Sequence, residues 1–131
     1  MDTIATISQL VGYYSSNYSS MPIGQLVDLK DKLVSHSYFQ AEEVAMAKMN
    51  YNESVFIRKV DAIRSRQNLR NANSKMTEAR LKDESDFEVL EKLHKEYQDE
   101  GTTYKYDLLL RQANKVTDAI SQRIAFMRNE K

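Results

Sequence analysis

The stretch RKVDAIRSRQNLRNANSK, residues 58–75, carries six Lys or Arg against a single acid, Asp61, and ends in the turn-forming run NANS at residues 71–74. Asn and Ser favour caps and turns over helix interiors because their side chains compete for the backbone. The stretch therefore reads as the end of one helix and the start of a reversal. Its charge has two readings: a nucleic-acid surface, or one half of an internal charge match.

The charges along the rest of the chain decide between them. Residues 1–57 hold three basic and six acidic side chains, net −3; residues 58–75 are net +5. Residues 76–100 hold four basic and nine acidic, net −5, and residues 101–131 hold six and three, net +3. Folding the chain at about residue 72 sets each block against its opposite, with Arg58 and Lys59 near Asp86 and Glu88. Such charges specify pairing and register, as flanking charges do in coiled coils. A local excess of three positive charges stays at the tip, where Arg64, Arg66, Arg70, Lys75, Arg80 and Lys82 stand against Glu78, Asp83 and Glu84. These six are the candidate nucleic-acid-binding residues, since phosphate contacts need such charge. No aromatic residue lies between Phe56 and Phe87 to stack on bases, and overall neutrality points away from nucleic acid.

Hydrophobic spacing supports the reversal. Ile4, Ile7, Leu10, Val11 and Tyr14 recur at three- and four-residue steps, the mark of an amphipathic helix over residues 1–18, capped by Asp2 or Thr3. SSNYSSMP, residues 15–22, is a polar break in which Ser19 or Ser20 can cap a second helix with Pro22 in its first turn. From Ile23 there is no further Pro, and a stripe through Leu26, Leu29, Leu33, Val44, Met49, Val55, Phe56, Val60 and Ile63 predicts a helix over residues 23–68. A third stripe, through Phe87, Leu90, Leu93, Tyr97, Tyr104, Leu108, Ala113, Ile120, Ile124 and Met127, predicts a helix over residues 75–128. Gly101 costs about 1 kcal/mol relative to Ala and marks a candidate kink, but the stripe stays in phase across it. At 1.5 Å per residue the two arms span roughly 69 Å and roughly 80 Å. The fold class expected is all-α: a single domain, a long antiparallel helical hairpin, coiled-coil-like, with a short N-terminal helix. Two long helices bury little alone, so apolar surface is left for another copy or a partner.

Composition removes several function classes. With no Cys in 131 residues there is no disulfide, thiolate zinc site or cysteine nucleophile. The first residues lack the basic start and apolar run of a secretory signal, and no window approaches the roughly 18 apolar residues of a membrane span. The expectation is a soluble, cytoplasmic protein with no membrane partner. EKLH, residues 91–94, has the Glu-x-x-His spacing of helical di-metal sites, but those need it twice with two further carboxylates. The other histidine, His36, falls opposite about residue 109 rather than His94, so no metal or other cofactor is expected. No nucleophile elbow or glycine-rich phosphate loop occurs, and a thin hairpin rarely encloses a pocket. Neither enzymatic activity nor a small-molecule substrate is expected. Tyr13, Tyr14 and Tyr18, in YYSSNY, are the candidate partner-binding residues, because Tyr is favoured at contact surfaces.

YNESVFIRKVDAIRSR (residues 51–66), SKMTEARLKDE (74–84) and YKYDLLLRQANKVTDAISQRIAFMRNE (104–130) carry a resemblance covering about residues 23–130. The chain resembles the small helical accessory proteins of tailed bacteriophages. That resemblance implies a bacterial host cytoplasm or a virion and a non-enzymatic task, and it transfers no site residues. The expected function is stoichiometric protein binding or assembly as a homo-oligomer, either as a structural accessory or in interference with a host system. The alternative is a DNA replication or recombination accessory acting through the basic tip.

Overall fold

The computed structural model describes residues 3–129, with side chains from Thr6 onward, and every described element is helical. Helix α1 spans Thr3–Asn17 and a single 3-10 turn follows at Tyr18–Ser20; α2 spans Ile23–Ala72, α3 Glu78–Glu88 and α4 Leu90–Asn129. The fold is all-α, with no strand among the described residues. The cap expected at Asp2 lies outside the described residues. No described helix is long and apolar enough to cross a membrane.

Local chemistry sets the helix boundaries. The Pro22 carbonyl accepts from Leu26 N at 3.1 Å and opens α2. Ser20 instead donates its hydroxyl to Asn17 O at 3.1 Å, so it closes the preceding turn rather than capping α2. The chain leaves α2 later than residue 68, because Asn73 N still donates to Leu69 O at 2.9 Å. Asn73 Oδ1 then accepts from Lys75 N at 3.1 Å, a turn in which an Asn side chain mimics backbone. Thr77, in extended backbone, accepts from Arg80 N at 3.3 Å and caps α3. Met76 and Leu81 flank that cap, both buried, at the two positions of a hydrophobic staple.

The described chain gathers into two compact units, Met1–Ala45 with Tyr104–Lys131, and Met46–Thr103. The first is built on large aliphatic side chains. Ile7 of α1, Leu26, Leu29 and Leu33 of α2, and Leu109, Ala113, Ile120 and Ile124 of α4 form one core, with Met21 beneath the entry to α2. The steps 26, 29, 33 and 109, 113, 120, 124 are one-face helical spacings. Among the described residues of this unit two polar ones are also buried, Ser37 and Gln40; Gln40 is fully so and donates to Tyr106 O at 3.0 Å. The Gln40 Oε1, with His36 Nδ1 and Ser37 Oγ, has no hydrogen-bond partner among the described residues.

In the second unit the helical path is interrupted at Val89, not at Gly101. Val89 has φ −103° and ψ 17°, its N–H reaches Ser85 O at 3.3 Å, and Leu93 N reaches Val89 O at 3.0 Å. Four residues earlier the Ser85 hydroxyl bonds back to Lys82 O at 2.9 Å, a contact that bends helices. Gly101 lies inside α4, and a Cβ there would meet nothing within 4 Å. Gly101→Ala is therefore expected to stabilise the protein by about 1 kcal/mol, read as a higher urea midpoint with an unchanged slope; a lower midpoint would show that α4 needs its glycine.

Candidate interaction faces

The second unit reverses the usual arrangement of a helix pair. Between its helices lie small and charged side chains. Ser54 donates to Asp99, Arg58 pairs with Glu96, Lys92 approaches Asp61 at 3.9 Å, Ser65 donates to Glu88, and Arg66 reaches the Ser85 hydroxyl at 3.4 Å. Partner numbers fall along α4 and α3 as they rise along α2. Ser54, Ala62, Ser65 and Ser85 are buried, and their small size lets the two backbones approach. Glu96 is the one buried charged residue among the described residues, and Arg58 holds it with two nitrogens, the second at 3.5 Å.

Met76, Leu81 and Val89 are buried towards the tip, but several of the largest apolar side chains of this unit point the other way. Phe56 stands two positions from both Ser54 and Arg58, and Ile63 two positions from both Asp61 and Ser65. Phe87 stands likewise between Ser85 and Val89, and Leu90 between Glu88 and Lys92. Two residues is about 200° around a helix, so each of the four sits on the side opposite the seam. Their exposures agree: 67% for Phe56, 55% for Ile63, 75% for Phe87 and 54% for Leu90. Met49 and Tyr97 extend the two outer faces and are equally open. On α4, Leu90, Leu93, His94 and Tyr97 border a shallow depression of about 480 Å³. Within residues 46–103, parts of the two stripes expected as buried core thus become outward apolar faces, one on α2 and one on α3 and the start of α4; Leu26, Leu29, Leu33, Ala113, Ile120 and Ile124 of the same stripes are buried as expected.

Electrostatics tie the seam together. Asp99 is held below the ordinary carboxylate range, first by the hydrogen bond from Lys95 at 2.8 Å, then by Ser54, with burial opposing. The Arg58 guanidinium is pushed up, chiefly by its hydrogen bond to Glu96 against the cost of burial. A carboxylate with a lowered folded pKa contributes stability that is complete above its unfolded value, about 3.9, and lost as pH falls through the folded one. Wild type is therefore expected to lose stability relative to Asp99→Asn on acidification below about pH 4, measured by urea unfolding at several pH values. A constant difference would remove Asp99 from the acid response.

The residues singled out from sequence are not brought together as one site. Tyr14 packs against the aliphatic core and lies 5.6 Å, centroid to centroid, from the Tyr18 ring. Tyr13 and Tyr18 are exposed, and Tyr13 borders a groove of about 330 Å³ beside Leu29 and Met21. At the tip, Arg70 binds Met76 O at 3.1 Å and pairs with Glu78, Arg80 pairs with Glu84 at 2.8 Å, and Arg66 contacts Ser85. The side chains of Arg64, Lys75 and Lys82 make no ion pair among the described residues. His94 Nε2 lies 3.1 Å from Gln98 Nε2, and no group of three or more His, Asp or Glu able to hold a metal occurs among the described residues. Sequence reasoning missed Ser54, Ser65 and Ser85. Their signal was the two-residue offset from the apolar stripe, which puts small residues where a second helix can come close. Comparison of the chain with protein-family models, with curated proteins and with solved structures found no match.

Proposed function

We propose that the chain is a non-enzymatic protein that acts by stoichiometric binding, through the outer apolar faces of residues 46–103. The observation carrying this reading is the inversion of that unit. Phe56 and Phe87 are exposed while Ser54, Ser65 and Ser85 are buried. Clustered exposed apolar side chains of this kind mark interaction sites, where a few large side chains carry most of the binding free energy. The resemblance to small helical accessory proteins of tailed phages points the same way, to assembly or host interference in a bacterial cytoplasm or virion. An antiparallel, coiled-coil-like pairing of two long arms belongs to this reading. It draws support from the seam contacts in one unit and, separately, from the Gln40–Tyr106 contact in the other.

The test is sedimentation of the purified chain, alone and with bacterial extract, against a Phe56→Ser, Phe87→Ser variant. The reading expects wild type to associate, with itself or with an extract protein, and the variant to lose that association. If neither protein associates in either condition, or both associate equally, the apolar faces are not the binding surface. The nucleic-acid reading rests on Arg64, Lys75 and Lys82, the tip cations without an ion-pair partner among the described residues. It stands second because the other three tip arginines make internal contacts. It expects a DNA affinity that falls steeply with salt; an affinity unchanged by Arg64→Glu with Lys82→Glu would end it.

A further inference from the structure

We propose that the partner of the outer apolar faces is a second copy of this chain, docked heterologously: the α2 face of one copy on the α3/α4 face of the next. This rests on the reading above that these faces bind protein. The charges around the two faces name the occupant. On α2, Lys59 stands one turn after Phe56 and one turn before Ile63, and Arg64 stands two turns after Ile57. On α3 and α4, Asp83 and Glu91 stand one turn before and one turn after Phe87. All four charged residues are exposed and none has an ion-pair partner among the described residues. The α2 face is therefore bordered by two free cations against one free anion, Glu53, one turn before Phe56, and the other face by free anions. Complementary potentials around an apolar centre fix which surfaces meet and reject like-charged alternatives.

The geometry also sets the kind of assembly. Both faces point away from the shared seam, so one copy cannot bring them onto each other. A face-to-opposite-face contact is head-to-tail, and it repeats until a ring closes or a filament grows. A symmetric contact of the α2 face with itself would gather four free cations against the two copies of Glu53, and one of the α3/α4 face would gather four free anions, so charge favours the heterologous contact.

The test uses three charge-reversed forms of the full chain in sedimentation velocity. Lys59→Glu with Arg64→Glu makes both faces acidic; Asp83→Lys with Glu91→Lys makes both basic. Lys32→Glu with Lys115→Glu, exposed in the other unit, makes the same change of net charge as the first pair away from the faces. Wild type is expected to form species larger than a dimer, and to do so less as salt rises from low to moderate strength. Each face variant alone is expected to weaken self-association by roughly tenfold or more, the order expected for like charges set across an interface. The 1:1 mixture of the two should restore it, and the control pair should leave it unchanged. Wild type that stays monomeric overturns the proposal. So does association indifferent to the face variants, a mixture that fails to recover, or a control pair as damaging as the face pairs. A monomeric wild type that is nevertheless shifted by bacterial extract, and not shifted after Phe56→Ser with Phe87→Ser, overturns the second copy as partner while leaving the binding role intact. A monomer unmoved by extract overturns both.

Discussion

Leu33→Ala is expected to cost about 3 kcal/mol, within the usual range for a fully buried leucine. Leu33 has no exposed surface and packs in the core with Leu29, Leu109 and Ala113. The loss combines the transfer of the removed methyl groups with the cavity left among side chains from α1, α2 and α4. This core is the main apolar reserve of its unit, and roughly 3 kcal/mol is a large share of the 5–15 kcal/mol that holds a typical domain together. The check is urea denaturation with circular dichroism. A change below about 1 kcal/mol would mean that this layer collapses around the gap or is not the packed core described.

Glu96→Ala is expected to cost about 2 kcal/mol, for a different reason. Removing one member of a buried pair leaves the other charge uncompensated, which costs several kcal/mol when the remaining ion is fully dry. Arg58 keeps 25% of its side chain exposed against 10% for Glu96, so water repays part of that loss and the figure falls below the fully buried range. Arg58→Ala should cost more than its pairing alone implies, since the buried Glu96 carboxylate is then left without its fork of donors. The paired replacement Arg58→Met with Glu96→Leu should recover most of the stability, because apolar side chains of similar volume can occupy the seam. If the double variant is as unstable as Glu96→Ala, the pair is worth more than the desolvation argument grants.

The sequence carried the helices well and their surroundings poorly, and the reason is physical. Leu26, Leu29 and Leu33 announce a buried face because no competing stripe exists on that segment. Met49, Phe56 and Ile63 announce a face with equal clarity, but periodicity says only that apolar side chains share a side. It does not say whether a helix of the same chain covers that side. The deciding residues there are Ser54, Ala62, Ser65 and Ser85, whose small size permits close approach, and small residues give no hydropathy signal. Charge alternation pointed correctly to contacts between the basic stretch and the acidic one, yet displaced the register. Arg58 meets Glu96 rather than Asp86 or Glu88, and Glu88 meets Ser65. The displacement follows from α2 running on to Ala72, the connection over residues 73–77, and the irregular turn at Val89. Gly101 was the visible candidate for a break because it is a glycine; the break falls at Val89 beside a serine whose back-bond to Lys82 no propensity scale records. At the tip, six cations were legible as a cluster, but the internal partners of Arg66, Arg70 and Arg80 depend on where α3 begins.

The most direct measurement is the unfolding free energy of Phe87→Ser, taken at a protein concentration low enough to exclude association. Phe87 is the most exposed large apolar side chain of the described residues. If it faces outward for a partner, its replacement should change stability by no more than about 0.5 kcal/mol, as at other surface positions. A loss of about 3 kcal/mol or more, the range for a buried Phe, would place Phe87 inside the fold and contradict the outward apolar face on which the binding role depends.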